Sequence, residues 1–380
     1  MPSRIPASSK TQGQTLRFQG GAALPPPIRP LMEFFAYMAP TGFPKKVFFQ
    51  FAHLLPTPLT AIRRSKGISL LDDLDRRGLI IHSKEDIHLF GPTLAAVRQS
   101  IAPTRAHRII QEGGQFLLAT LPNHGKPTVE PHELNRLSWH SRVLADHALK
   151  IGNKEIATKL MHWLDCAGRK LIGTWPDRAI NCHQSALNLS QRILGFNHHL
   201  TIVRLNNLGE TWRRIKETTQ AEYCLLGALL LLTDHLGQFS HLEANILGNL
   251  GLLRSDQKQW GEAREAFNQA WSMAKESRGL NDPLIFLCAN NLARIMGIQN
   301  DFQGAAQFLE QALECHYQGN HPPAHPNVAI ILNNLGLVQR KMGITEEART
   351  TLAKALTMAE KCLPPGHTLL TQLKEGHQRL

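Results

Sequence analysis

The sequence predicts a chain dominated by α-helices, in which an α-α superhelix of repeated helix pairs follows a small domain of mixed secondary structure. Two patterns support this prediction: short blocks recur about every 42 residues in the second half, and two apolar runs near residue 80 are short enough for β-strands. The composition is ordinary for a globular protein, with 42% hydrophobic and 19% charged residues. We expect a disordered basic tail over residues 1–30, a mixed domain over 31–102, a helical spacer over 103–154, five repeats over 155–362 and a capping helix over 363–380.

The first thirty residues carry basic side chains and no acidic ones. Their apolar content is too low to offset the chain entropy that folding would cost, so we expect this tail to be disordered. It has no apolar stretch of the kind that marks a secretory signal, although an Arg-bearing transit peptide stays open as an alternative.

Residues 31–101 alternate between helical and strand patterns. A polar tip at 83–86 separates the apolar runs 79–81 and 87–90, which indicates a β-hairpin. We expect helices on both sides of this hairpin, over residues 31–38, 45–55, 68–77 and 93–101. This order of helices, hairpin and helix resembles a winged-helix domain.

The second half repeats a short block at a fixed spacing. The block Leu205-Asn206-Asn207-Leu208-Gly209 recurs three times, and its second amide falls at Asn207, Asn249, Asn291 and Asn334, with steps of 42, 42 and 43 residues. Two columns of alanine keep the same register. The first column is Ala179, Ala221, Ala263, Ala305 and Ala348, and the second is Ala186, Ala228, Ala270, Ala312 and Ala355.

Each period holds two helical segments, which in the clearest copy span about 241–257 and 260–276. Small residues let neighbouring helices approach closely, and leucines on one face fill the contact between them. One helix pair cannot bury its own apolar face, whereas stacked pairs bury a continuous core. These columns resemble the tetratricopeptide repeat, and the 42-residue period is similar to the kinesin-light-chain type.

The resemblance implies a binding module. In that family the first helices line a groove, and the amide of the matching column often hydrogen-bonds an extended peptide, because it can both donate and accept. By position the candidates are Asn207, Asn249, Asn291 and Asn334, accompanied on the same faces by Arg204, Arg213, Arg214, Arg294 and Arg340. Arginine there would favour acidic or carboxylate-bearing peptides. A purely structural role for the amides in helix packing stays open.

The segments before the repeats resemble the region that follows the nucleotide-binding domain in STAND-type NB-ARC ATPases. Four short motifs occur in the family's order, over residues 31–44, 70–97, 104–122 and 139–149. The chain holds no G-x-x-x-x-G-K-[ST] motif. The resemblance therefore implies the sensor and regulatory half of a signalling protein without its ATPase, from a truncated, split or stand-alone gene, and a separate ATPase chain as a partner.

A winged-helix regulator that binds nucleic acid is the alternative function. The net charge is +12, and most of the excess lies in the first 150 residues. Five cations near the third helix could contact phosphates, namely Arg63, Arg64, Lys66, Arg76 and Arg77. Cations at the end of a helix also complement its dipole, so the same charges fit a solvated surface.

The sequence offers no support for other kinds of site. The closest histidines, His198-His199 and the pair His321 and His325, lack metal-ligand spacing, and no hydrolase motif G-x-S-x-G is present. The six cysteines include no C-x-x-C pair, which favours structural thiols in a reducing compartment. No apolar run approaches the roughly 18 residues of a membrane span. We therefore expect a cytoplasmic, non-enzymatic protein with no cofactor, metal or membrane partner.

Overall fold

The structure is a computed structural model of the 380-residue chain. It describes residues 24, 26, 28–55, 59, 64–121, 129–233, 240–278, 282–319 and 325–378. The tail that we expected to be disordered therefore lies almost entirely outside the described residues. The chain divides into two compact units, unit 1 over Met1–Ile215 and unit 2 over Lys216–Leu380.

Unit 1 begins with a small mixed domain. Its elements are α1 (Arg29–Ala36), β1 (Gly42–Pro44), α2 (Lys45–Gln50), α3 (Arg64–Arg76), β2 (Ile80–His82), β3 (Asp86–Leu89) and α4 (Gly91–Gln99). The three strands form one antiparallel sheet in the order β1-β3-β2. The hairpin of β2 and β3 is the predicted one, whereas β1 was not predicted, because three residues that include a proline show no alternation.

Prolines account for two of the helix boundaries that differ from the prediction. Helices α1 and α4 both begin two residues earlier than expected, and each carries a proline, Pro30 or Pro92, in its first turn. Proline fits there because the first turn has backbone N–H groups without helical partners, and its fixed φ suits the helix. Helix α2 ends at Gln50, five residues before the predicted end, and a single 3-10 turn over Ala52–Leu54 follows it.

Aromatic side chains form the centre of this domain. They come from α1, β1, α2 and from α5 (Pro103–Ala119), and the fully buried ones are Phe34, Phe35, Phe43, Phe48 and Phe116. Most of the neighbouring rings meet at tilted or edge-on angles with centroids 5.5–6.4 Å apart. Aromatic pairs favour such angles over face-to-face stacking.

A buried histidine joins α6 (Pro131–Lys150) to the chain that leads into β1. Nδ1 of His140 accepts a hydrogen bond from the backbone N–H of Ala39 at 3.1 Å, and its ring centre lies 4.7 Å from that of Phe43. Burial lowers the pKa of His140 to about 4, so the ring is neutral in the folded protein. Three further helices complete unit 1, namely α7 (Lys154–Leu171), α8 (Pro176–Leu194) and α9 (His199–Arg214).

Unit 2 consists of consecutive helices. They are α10 (Thr218–Leu232), α11 (Ser240–Asp256), α12 (Trp260–Arg278), α13 (Pro283–Ile298), α14 (Phe302–Gln318), α15 (Pro326–Lys341), α16 (Thr345–Cys362) and α17 (Thr368–Gln378). The clearest predicted pair, 241–257 and 260–276, corresponds to α11 and α12 within two residues. All ten alanines of the two sequence columns, eight of which lie in unit 2, are fully buried, as expected for small residues at close helix contacts.

The glycine that closes the repeated block permits a close approach within a pair. A Cβ at Gly251 would lie 2.9 Å from the ring of Phe267, and one at Gly336 would lie 2.6 Å from Cγ of Leu352. Real Cβ atoms do not come that near to a ring or a branched carbon. The side chain on the second helix therefore occupies the space that the missing Cβ leaves.

Several turns that join successive helices share one backbone conformation. A residue with positive φ stands in each of four such turns, at Lys216 (67°), Lys258 (62°), Asn300 (62°) and Gly343 (82°). Their spacings of 42, 42 and 43 residues are those of the repeat. Only the last of these residues is a glycine, for which this conformation carries no steric cost.

Candidate functional site

In unit 1, two of the expected groove residues make contacts inside the protein. Nδ2 of Asn207 donates to Oδ1 of Asp165 at 3.0 Å. Arg204 is only 1% exposed, and its guanidinium donates to the carbonyl oxygen of Leu200 at 2.6 Å and lies 2.9 Å from Nδ1 of His162. These contacts favour the packing role that the sequence left open for Asn207.

Asp165 is the centre of a buried polar cluster. Nη1 of Arg169 lies 2.6 Å from Oδ2, and Nδ1 of His183 lies 3.1 Å from Oδ1. Burial alone would raise the pKa of this carboxyl, but the His183 hydrogen bond, the Arg169 charge and the Asn207 amide together hold the pKa well below its usual range. A Cβ at Gly168 would lie 2.6 Å from Nε2 of His183, so the ring packs directly on the glycine backbone. Asp165 and His183 are buried, and Arg169 closes the cluster toward the solvent.

The two remaining unit 1 candidates share one carboxylate on their own helix. Arg213 Nε lies 2.8 Å from Oε2 of Glu210, and Arg214 Nε lies 2.7 Å from Oε1. Both pairs are intrahelical, at spacings of three and four residues. The charge available to a ligand from Arg213 and Arg214 is reduced by this shared partner.

In unit 2 the predicted amides differ in burial, since Asn291 is buried whereas Asn249 and Asn334 are half-buried. Asn291 is 6% exposed, and its Nδ2 donates to the carbonyl oxygen of Leu287 on the same helix at 2.8 Å. Asn334 instead donates from Nδ2 to Oδ1 of Asn290, across to the first helix of the preceding pair. Asn249 is half-buried on α11. The structure thus brings Asn334 together with Asn290 and not with Asn291.

A cleft of about 560 Å³ lies between α13 and α15, the first helices of two successive pairs. We call it the first-helix groove. Its volume is within the range of sites that bind peptides and small molecules, roughly 300–1,000 Å³. Its lining combines amides, cations and apolar side chains and includes no carboxylate: Asn290, Ala293, Arg294, Gly297, Phe302, Asn334, Leu337, Val338, Arg340 and Lys341.

The cations of the first-helix groove are exposed. The guanidinium carbon of Arg294 lies 6.0 Å from the ring centre of Trp260, at the outer limit of a cation–π contact. Arg340 and Lys341 occupy the last turn of α15, and in the part of the chain that the structure describes neither forms an ion pair with a carboxylate. The groove therefore presents uncompensated positive charge beside an apolar floor.

A smaller hollow of about 290 Å³ extends the groove toward the N-terminal ends of the same helices. Asn290 lines both cavities, so it stands at the junction between them. The hollow is otherwise mostly apolar, with Phe286, Ile330 and Ile331 among its lining residues. The two cavities together offer a path along α13 and α15.

Sequence reasoning missed Asn290 and Lys341. The second amide of each block was chosen because that column is present in all four copies, whereas the groove uses the first amide on α13. A signal was available, since Asn290 precedes the predicted groove residue Arg294 by four positions and residues at that spacing share a helix face.

The cysteines are free thiols, of which Cys182, Cys224, Cys288 and Cys315 are buried. Burial raises the pKa of Cys182 and Cys224 to about 11 and that of Cys288 to about 12, so these side chains are protonated. Among the described residues no group of three or more His, Cys, Asp or Glu side chains is arranged to hold a metal ion. Nor does any helix in the described ranges have the length and apolar character needed to cross a bilayer.

Comparison with known families identifies the repeat. Residues 242–318 and residues 329–362 match the tetratricopeptide repeat family. These segments contain most of α11 to α16, including the first-helix groove. Repeats of this family serve as scaffolds for protein interactions. No curated protein sequence matches the chain.

Solved structures share the helical-repeat fold. BtubC (BKLC) from P. vanneervenii is 16% identical, with a TM-score of 0.53, over 63% of this chain and 95% of that one. Aspartyl phosphate phosphatase F from Bacillus subtilis is 12% identical, with a TM-score of 0.50, over 94% and 80% of the two chains. A STAND protein with a tetratricopeptide repeat sensor from Pyrococcus horikoshii reaches a TM-score of only 0.41 at 12% identity, over 93% of this chain and 52% of that chain.

The predicted fold class, a mostly helical tetratricopeptide-repeat solenoid preceded by a small region that contains strands, is confirmed. Because these sequence identities are low, the comparison supports a shared fold and carries no information about an activity. The expected relationship to NB-ARC ATPases gains no support from the structural comparison, because a TM-score of 0.41 does not establish a shared fold.

Proposed function

We propose that this protein is a non-enzymatic adaptor that binds an extended acidic peptide in the first-helix groove. One observation carries the proposal: Arg294, Arg340 and Lys341 line a cleft together with a bonded pair of asparagines, and no carboxylate lines it. A cleft built only to pack helices would need neither the exposed cations nor the amides on its surface.

The amide pair supports recognition of a peptide backbone. Asn334 uses one N–H on Oδ1 of Asn290, which orients the Asn290 amide. Within the described residues Nδ2 of Asn290 has no partner of its own, so it can donate to a peptide carbonyl. A bonded amide loses less side-chain entropy on binding than a freely rotating one.

The cations and the apolar floor define the side chains of the ligand. Arginine pairs with a carboxylate through two parallel hydrogen bonds, which favours acidic residues near Arg294 and Arg340. Leu337 and Val338 line the same cleft and would contact apolar side chains. An extended peptide directs alternate side chains to opposite sides, so a sequence that mixes acidic and apolar residues fits the groove best.

The test uses fluorescence anisotropy with the full chain and a fluorescein-labelled ten-residue peptide of glutamate and leucine. We expect binding that weakens about ten- to a hundredfold in N290A or R340A, since each loses a hydrogen bond or charge pair worth ~1–3 kcal/mol. The matched control is R264A, because Arg264 is an exposed arginine of the same unit that is absent from the groove lining. Equal affinity for the wild type, N290A and R340A would refute the proposal, as would equal binding of a lysine–leucine peptide.

For the mixed domain of unit 1 we propose a winged-helix fold and a coupling role, in which it contacts a separate ATPase chain of a STAND-like signalling system. The strand order β1-β3-β2 and the succession of helices around it support the winged-helix interpretation. Co-purification from the native cell tests the coupling role, because an ATPase should be recovered with the full chain. Recovery of partners that include no ATPase would argue against it.

The arrangement of charges on α3 weakens the nucleic-acid alternative. Arg76, the last residue of α3, and Arg77, which follows it, both pair with Asp73 of α3, at 3.6 and 3.0 Å. Asp72 is exposed and Asp75 half-buried nearby, both beside His82, and these carboxylates would repel phosphate. Of the other proposed contacts, Arg63 lies outside the described residues, as do the side chains of Arg64 and Lys66.

A further inference from the structure

A second cleft lies on the surface formed by the second helices of the last two pairs. It occupies about 690 Å³ between α14 and α16, and we call it the second-helix cleft. Its lining consists of Tyr317, Leu332, Arg349, Thr350, Ala353, Lys354, Thr357, Met358 and Lys361. None of these residues lines the first-helix groove.

The second-helix cleft combines an apolar floor with a row of cations. Tyr317 is 63% exposed and contributes a ring, and Met358 and Leu332 contribute aliphatic surface. Arg349 lies 3.4 Å from Glu346, whereas in the described part of the chain Lys354 and Lys361 form no ion pair. No residue in the lining carries a carboxylate.

The preceding helix pair shows which side chains the fold accepts at the positions of these lysines. The two last pairs are offset by 43 residues, as Ala305 and Ala348 show, so that Lys354 and Lys361 correspond to Gln311 and Gln318. The same fold is therefore built with uncharged side chains at these positions. Packing of the helix pair does not require the lysines.

The spacing of the cations restricts what can bind. Arg349 and Lys361 are twelve residues apart on one helix, which is about 18 Å at ~1.5 Å per residue. A single small anion cannot span this row. Lys354 and Lys361 are separated by two helical turns, the same distance that separates acidic residues at i and i+7 of a partner helix.

We propose that the second-helix cleft binds an acidic amphipathic helix of a partner protein, with carboxylates at i and i+7 on Lys354 and Lys361. Apolar side chains between those carboxylates lie on Met358 and Tyr317. Because the site is separate from the first-helix groove, the protein holds two ligands at once and functions as a bridge between them. The charge match determines the partner class, since a basic or neutral helix would leave both lysines unpaired.

The probe is a fluorescein-labelled 15-residue helical peptide of alanine, leucine and glutamate, with glutamates at i and i+7. Anisotropy is measured with the full chain and with K354Q/K361Q, which carries the residues of the preceding repeat and so preserves the fold. We expect the double variant to bind at least about tenfold more weakly, as loss of two interfacial ion pairs predicts. Y317S should weaken binding too, and a circular dichroism melt confirms that each variant is folded.

Two comparisons separate this site from the first-helix groove. R340A should bind the helical probe as the wild type does, and K354Q/K361Q should bind the extended glutamate–leucine peptide as the wild type does. In the charge-reversed variant K354E/K361E, a probe with lysines at i and i+7 should recover binding. Equal affinity of K354Q/K361Q and wild type for the helical probe, or loss of that binding in R340A, would overturn the proposal.

Discussion

The second amide of the repeated block is used in two ways in the two units. In unit 1, Asn207 donates to the buried Asp165, inside a network that also contains Arg169 and His183. In unit 2, Asn334 donates to Asn290 at the surface, on the wall of an open groove. Both amides bond a residue on the neighbouring first helix about one repeat earlier. The difference lies in the partner, because the Asp165 carboxylate pairs with Arg169 and His183, whereas the Asn290 amide carries no charge and attracts no cation.

A repeated column of residues therefore sets the place of a side chain in the fold but not its function. The cations near Asn207 already have partners, since Arg169 pairs with Asp165 while Arg213 and Arg214 share Glu210. In the described part of unit 2, Arg340 and Lys341 have no carboxylate partner. A ligand can therefore supply a missing negative charge beside Asn334, whereas beside Asn207 the protein supplies it itself.

Removal of the central carboxylate should produce the largest effect. D165A leaves His183 and the Asn207 amide without their acceptor, and breaking a buried pair costs about 3–5 kcal/mol. Urea unfolding of the full chain measures this loss. The matched control is D146A, because Asp146 pairs with Arg192 at the surface of the same unit, where such pairs contribute about 1 kcal/mol or less. Equal losses in the two variants would show that the cluster is no more than a surface ion pair.

Acid should destabilise unit 1 through His140. Its pKa is lowered from 6.5 to about 4 in the folded protein, so below pH 6.5 the unfolded chain takes up a proton that the folded chain does not. The contribution of the neutral His140 ring to the free energy of unfolding is therefore fully present above pH 6.5. It falls by about 3 kcal/mol as the pH drops to 4, at ~1.36 kcal/mol per pH unit. The pKa of Asp165 is lowered too, but its contribution is lost only below its unfolded value of 3.8.

Urea unfolding at pH 7, 6, 5 and 4 measures this slope. The comparison variant is H140N, which lacks the titrating ring and should lose a large share of the pH dependence between pH 6.5 and 4. His147, whose pKa burial and the nearby Arg98 and Lys150 also lower to about 4, should account for a comparable share. An unchanged slope in H140N would disprove the assignment.

Removal of a buried amide and removal of a groove amide should change the free energy of unfolding by different amounts. N207A removes a hydrogen bond to a buried charged acceptor, which costs about 1.5–3 kcal/mol. N290A removes a half-buried surface contact and should change the free energy of unfolding by about 0.5–1 kcal/mol, although it weakens peptide binding. If N290A proved as destabilising as N207A, its amide would be a packing element like those of unit 1.

The smallest effect concerns the left-handed turns of unit 2. K258G should stabilise the protein by about 0.5–1 kcal/mol, because glycine adopts positive φ without the steric cost that a Cβ imposes. The reverse change, G343K, should destabilise it by a similar amount at the equivalent position. Thermal melts compare the two. A K258G melt below that of the wild type would mean that the Lys258 side chain makes a favourable contact that outweighs the backbone cost.

Some elements of this fold could be predicted from the sequence, and others could not. The hairpin of β2 and β3 and the helix pair α11–α12 follow from periodicity, because burial repeats along the chain with the period of the secondary structure. Strand β1 was not predicted, because it is defined by its pairing with β3, which lies 42 or more residues further along the sequence. Family resemblance predicted Asn334, Arg294 and Arg340, which line the cleft, but not Asn290 or Lys341.

The repeat, its 42-residue period and the burial of the ten alanines follow from the sequence alone, because small residues in register favour close packing of one helix on the next. The tertiary structure decided which amide faces the groove. Neighbouring residues on a helix point about 100° apart, so the rotation of α13 sends Asn291 into the core and Asn290 to the surface. It also decided which cations remain available to a ligand, since their partners lie on other helices or one turn away and are brought together only by folding.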